Sequence, residues 1–177
     1  MIRAVQERFD AFESDRISFL DDVAAMSDEQ RSFRPHPDHW NLLDLVQHLM
    51  LVEKAFLQQI NENPPKPRKS RFHPVVGSMI LWIIFNFGIR VKVPSKSVLP
   101  SGTMSLDESR SLWDEKQAVL KNYCETLDAA SARKKVFFHP IRGSISSITL
   151  IDFLSIHFHH HIRQVKRVQR SPHFPKA

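Results

Sequence analysis

One cysteine, four glycines and no apolar run long enough to cross a bilayer set the first limits on this 177-residue chain. A lone Cys124 excludes an intrachain disulfide framework and suits a reducing compartment. There is no glycine-rich phosphate loop, dinucleotide fingerprint or CxxC pair, so nothing points to ATP, a nicotinamide or a flavin. The N-terminus, "MIRAVQERFDAFESDRISFL", is charged from the start and has no uninterrupted apolar core, so no secretory leader is expected and the location expected is the cytoplasm. The greasiest stretch, Val75 to Ile89, runs 15 residues and contains Gly77, Ser78, Asn86 and Gly88. A spanning helix needs about 20 mostly apolar residues. No transmembrane segment is therefore expected, and a buried or partner-facing helix, suited to a homodimer contact, is the better reading. Its basic flanks, Arg71, Arg90 and Lys92, would otherwise suit a membrane surface.

Negative charge is also the scarcer sign: 25 Lys and Arg stand against 19 Asp and Glu, a net charge of +6. Lys66, Arg68, Lys69 and Arg71 form one cluster, and Arg163, Lys166, Arg167 and Arg170 line one side of the last segment. Neither cluster carries the interleaved aromatics on which bases stack, so a solvated helix face and a basic loop are expected, with no specific nucleic-acid partner.

Prolines cluster at 35 to 37, 64 to 74, 94 to 100 and 172 to 175, and between them lie segments of helical periodicity. The first runs from about Ile2 to Met26, with Val5, Phe9, Phe12, Phe19, Leu20 and Val23 on one side. The second starts behind Asn41, a capping residue with Asp44 three positions on, and reaches about Asn61. The third starts at a capping pair, Ser105 and Glu108, and reaches about Ala130, its apolar face made of Leu106, Leu112, Trp113, Val119, Leu120, Tyr123 and Leu127. "HPIRGSISS" reads as a loop, after which Thr149 and Asp152 are placed to cap a last helix ending near Gln169. The expectation is an all-α four-helix bundle in one domain over residues 1–177, with a connector and an additional apolar helix over 62–104 between the second and third principal helices.

What the chain does have is histidine in phase. Four of the five residues from 157 to 161 are His. Taking His157 as zero at about 100° per residue, His161 falls near +40°, inside a stripe with Leu150, Leu154, Val165 and Val168. His160 falls on the border and His159 on the solvent side. His48 edges the apolar face of the second helix, with Leu45, Leu49, Val52 and Phe56. An i, i+4 pair on one helix and a third imidazole from a facing helix can hold one divalent metal ion and leave a coordination position open. A hydrogen-bonded polar cluster, or a surface tract, is the competing reading. His160 and Gln164 border the site and are the auxiliary catalytic candidates, for orienting water or substrate. Glu53, Asp44 and Asp152 are candidates to receive the second ring N–H of a ligating histidine. Trp40 either walls the pocket or staples the start of the second helix. Cys124 has no motif around it, so covalent catalysis is not expected.

Two blocks carry a family resemblance. "HWNLLDLVQHLMLVEKAF" resembles the Trp, cap, His-Leu and Glu pattern of the DinB-like superfamily, which includes the YfiT-like metal-dependent hydrolases. "HPIRGSISSITLIDFLSIHFHHHIRQVKR" is similar to that superfamily's closing signature: a His-Pro and Gly loop, then H-x-x-H-H-x-x-Q, here His157, His160, His161 and Gln164. The resemblance implies a four-helix bundle and a divalent metal, zinc or nickel, held by residues that map onto His48, His157 and His161. It also implies hydrolysis or transfer of a low-molecular-weight thiol to a small-molecule substrate. A non-catalytic dimeric metal-binding or stress-response module is the alternative from another class. The apolar insertion is longer and greasier than the plain bundle.

Overall fold

Apolar phase sets which way the helices face, and side-chain caps mark where several of them begin. The structure, a computed structural model, describes residues 1–60, 70, 72–87 and 95–176. Helix α1 (Arg3–Ala24) buries Val5, Phe9, Phe12, Phe19, Leu20 and Val23, the stripe expected from their spacing. A short helix, α2 (Asp28–Ser32), follows; Ser27 and Gln30 cap it reciprocally, a capping pair that the sequence reading passed over.

Helix α3 (Leu42–Leu57) starts where expected. The Asp44 N–H donates to Asn41 Oδ1 at 2.8 Å and the Asn41 N–H donates to Asp44 Oδ2 at 3.1 Å. Helix α4 (Pro74–Phe87) is the apolar insertion, and a 3-10 turn (Lys96–Val98) lies against α3. Helix α5 (Leu106–Glu125) carries the Ser105 and Glu108 box. It ends short of Ala130, because Asp128 Oδ1 accepts the N–H groups of Ala130 and Ser131 and holds them in a turn. Of its expected apolar face, Val119 is 45% exposed and belongs to the surface.

The "HPIRGSISS" segment is not a plain loop. It belongs to a hairpin of β1 (Lys135–His139) and β2 (Gly143–Ser146), with Phe137 opposite Ile145 and His139 opposite Gly143. Pro and Gly mark loops and hairpin turns alike, and Gly143 takes the positive φ, +82°, that a tight hairpin turn needs. The side chain of Gln59 pairs with the free edge of β1, accepting the Phe138 N–H at 2.9 Å and donating to Phe138 O at 3.3 Å. Helix α6 (Ser147–Gln169) follows at once, capped by Ser146, whose Oγ accepts the Thr149 N–H. Thr149 and Asp152 are thus not its caps; Asp152 instead pairs with Arg8 at 2.9 Å.

Helices α1, α3, α5 and α6 close a ring of contacts, α3 on α5, α5 on α1, α1 on α6 and α6 on α3, around one hydrophobic core. Phe158 lies at its centre, edge-on to Phe12 and Phe19 with ring centroids 5.9 and 5.6 Å away. Helix α4 packs on α6 and β2 outside this ring. Residues 88 and 89 of the expected apolar helix lie outside the described residues, as do Lys66, Arg68, Lys69, Arg71, Arg90 and Lys92. Among the described residues no helix is long and apolar enough to cross a membrane.

Gly77 lets α4 approach the hairpin: a methyl group there would overlap the carbonyl oxygen of Ile141. Gly77→Ala is expected to push α4 off the turn at a cost of about 1–3 kcal/mol, read as a lower thermal midpoint. An unchanged midpoint would show that α4 docks elsewhere.

Candidate metal centre

Three imidazoles from two facing helices meet at one point. His48 of α3 and His157 and His161 of α6 each offer a nitrogen within 4.8 Å of the other two. The i, i+4 spacing sets the α6 pair, whose Nε2 atoms are 3.1 Å apart. The packing of α3 on α6 brings the His48 ring to 5.3 Å from that of His157 and 5.0 Å from that of His161.

Hydrogen bonds orient two of the rings. His48 Nδ1 lies 2.7 Å from the carbonyl oxygen of Val98. A carbonyl only accepts, so Nδ1 carries the proton and Nε2 keeps its lone pair. His161 Nδ1 donates to Gln164 Oε1 at 3.1 Å, so its Nε2 keeps a lone pair, which faces His157 Nε2. Burial, above all, lowers the pKa of His48. Burial and neighbouring histidines push His161 down to about 3 and His157 well below the usual range. All three are therefore neutral near pH 7, the form in which imidazole binds metal. Two nitrogens bound to a tetrahedral zinc at about 2.0–2.1 Å would stand roughly 3.3 Å apart, close to the α6 pair. The donor set and its geometry fit a divalent metal ion.

None of the three proposed acidic partners reaches the histidines. Glu53 follows His48 by five residues, near 140° around α3, so it points to α5, where Oε2 accepts from Trp113 Nε1 at 2.8 Å. Asp44 is spent on its cap and on Arg34 at 2.7 Å. Asp152 is on the surface with Arg8. The partners found are a backbone carbonyl and Gln164. The carbonyl belongs to a turn fifty residues from His48, and no side-chain pattern signals it.

The other candidates fall into place around these rings. His160 is buried, its ring centroid 5.4 Å from that of Phe85, and its Nδ1 has no hydrogen-bond partner among the described residues. His159 is exposed beside Asp15 at 3.2 Å. Trp40 lies 4.7 Å from His48 and walls the pocket. Cys124 is fully buried and absent from the pocket lining, and burial pushes its thiol up to about 12, which leaves it no part in nucleophilic chemistry. His139, at the end of β1, belongs to the His-Pro and Gly loop of the sequence and is not among the candidate site residues read there, yet it lines the same cavity. That cavity encloses about 1030 Å³, and Val52, Phe56, Leu81, Phe85 and Phe153 give it apolar walls.

A helical bundle with a three-imidazole cluster at the wall of an apolar cavity is a class of protein able to hold a metal ion. The chain belongs to the DinB superfamily, whose family model matches residues 11–165. No curated protein and no solved structure matches it significantly.

Proposed function

We propose that this protein is a metal-dependent enzyme in which His48, His157 and His161 hold zinc or nickel and a small-molecule substrate enters the adjoining cavity. The observation that carries this reading is the convergence of three neutral imidazoles, His48 and His161 buried and His157 half-buried, on the wall of a 1030 Å³ cavity with apolar walls. A divalent metal held by neutral ligands alone keeps its full charge and acidifies water or a low-molecular-weight thiol, so the reaction is hydrolysis or thiol S-transfer.

The protein's own residues supply position and exclusion. The Val98 carbonyl and Gln164 hold His48 and His161 with their Nε2 lone pairs presented. Trp40, Phe85 and Phe153 pack against the His rings and keep bulk water from them. Gln164 acts by positioning His161, and His160 by orienting a ligand at the border of the site. The location is the cytoplasm.

Elemental analysis of untagged protein, purified without chelator or immobilised metal, tests the reading. Near one equivalent of zinc or nickel is expected, and loaded protein should turn over a hydrolysable ester or couple a thiol to an electrophile. No metal after reconstitution would overturn it. Gln164→Ala should retain the fold and weaken metal affinity about 10–100-fold, the usual effect of losing an outer-shell partner. Undiminished affinity in a competition titration would show that Gln164 does not position His161.

One observation favours the dimeric module as a second reading. Val75 and Met79, 70% and 56% exposed, form part of an apolar face on α4. Met79→Asp should then shift a dimer towards monomer in sedimentation, and an unchanged mass with intact folding would remove the idea.

A further inference from the structure

His139 is a histidine of the cavity that stands apart from the metal cluster. It closes the hairpin turn: Nδ1 accepts the N–H groups of Ile141 and Arg142, both at 3.1 Å. An imidazole nitrogen that accepts two backbone donors cannot also carry a proton, so the proton is on Nε2. Nε2 has no hydrogen-bond partner among the described residues and is not among the polar atoms sealed from solvent. The ring lines the cavity. It stacks near Phe56 at 6.0 Å and meets the edge of Phe153 at 4.6 Å, while Phe153 lies parallel to His157 at 5.5 Å. An unspent N–H therefore stands in an apolar wall, one phenyl ring removed from the three-histidine cluster.

We propose that His139 is a specificity residue whose Nε2–H receives a neutral hydrogen-bond acceptor, a carbonyl or nitro oxygen, carried by an apolar aromatic substrate. This rests on reading the cavity as the substrate pocket, and not on the metal. Burial holds the imidazole pKa at about 4, so the ring donates as a neutral group and offers no charge to a carboxylate. A carboxylate buried against Phe56 and Phe153 without a cation would be costly. Arg167, the cation that lines the cavity among the described residues, lies 14 residues from Phe153, about 21 Å along α6. Arg142 is near enough for its charge to help lower the His139 pKa, but its side chain does not line the cavity. Beside Phe56 and Phe153, the apolar wall and this neutral donor select for an uncharged aryl ketone, ester, amide or nitro compound.

The test uses the metal-free full chain and two probes of like size, acetophenone and ethylbenzene, bound to the parent and to His139→Asn. Asparagine keeps an acceptor near the position of Nδ1 for the turn and loses the Nε2 donor. The ratio of the two affinities is expected to shift roughly fivefold to tenfold against acetophenone in the variant, the worth of one neutral hydrogen bond. A ratio unchanged within about twofold, or no binding of either probe, would overturn the proposal. Imidazole ¹⁵N–¹H spectra of the parent serve should the variant not fold. They are expected to show the Nε2–H tautomer and a downfield move of that proton with acetophenone alone; an Nδ1–H tautomer, or no movement, would overturn it. Because the protein is metal-free, failure of the metal assignment leaves this result readable, and failure here leaves the metal analysis standing.

Discussion

Replacing His157 and His161 together with alanine is expected to abolish metal binding while the bundle still folds. The two nitrogens, 3.1 Å apart, are two of the three that the cluster offers, and one remaining imidazole cannot hold a divalent ion against water. Loss of an outer-shell partner alone costs about 10–100-fold in affinity, so His48→Ala, His157→Ala or His161→Ala should each exceed about 100-fold. His159→Ala should leave the affinity unchanged, since that ring stands outside beside Asp15. Equal losses in all four variants would mean a diffuse histidine tract with no defined site. Acidity gives a second handle. Histidines of ordinary pKa, about 6.5, would lose metal as pH falls through that value. Burial and mutual repulsion hold this cluster neutral to lower pH, so affinity should stay nearly flat between pH 8 and 6. A steep decline over that range would show an exposed cluster.

Thermal stability should fall as pH rises from about 6.5 to 9, above the range in which the buried histidines titrate, and Glu53→Gln should remove most of that fall. Glu53 is fully buried between α3 and α5; Oε2 accepts from Trp113 and Gln117, while Oε1 has no partner among the described residues. Burial, outweighing the Trp113 hydrogen bond and the nearby Arg16, pushes its carboxyl up to about 8 from an unfolded value of 4.5. Between those values the folded chain holds a proton that the unfolded chain has released. The stabilisation is therefore complete below about pH 4.5 and is lost as pH climbs through about 8, on the order of 4–5 kcal/mol in all. The buried histidines act in the opposite sense. His139 and His161, lowered to about 4 and about 3, cost stability as pH falls below about 6.5. Glutamine reproduces the hydrogen-bonding shape of the protonated acid, so the variant should match the parent at pH 5 and exceed it at pH 9. Parallel melting curves across that range would mean that Glu53 is ionised in the folded protein.

Much of the fold was legible because it is local. A 3.6-residue period places Phe9, Phe12 and Phe19 on one face of α1 whatever lies opposite, and a capping box forms between residues three apart, as at Asn41 and Ser105. The same reasoning put His157 and His161 on one inward face. It failed where a side chain's partner lies far off in the chain. The hairpin reads as a loop in sequence because pairing of Phe137 with Ile145 is a tertiary event that two short strands signal weakly. Glu53 was offered to the histidines because sequence nearness hides the turn of a helix that sends it to Trp113.

The sequence by itself determined the helices, their buried faces and the histidines able to share an ion, since each follows from spacing along one chain segment. Only the tertiary structure decided what surrounds them. The Val98 carbonyl orients His48, the tight approach of α4 at Gly77 builds a cavity wall, and the hairpin turn turns His139 into a fixed donor. Those are contacts between segments far apart in sequence, and their geometry exists only once hydrophobic burial has packed the helices together.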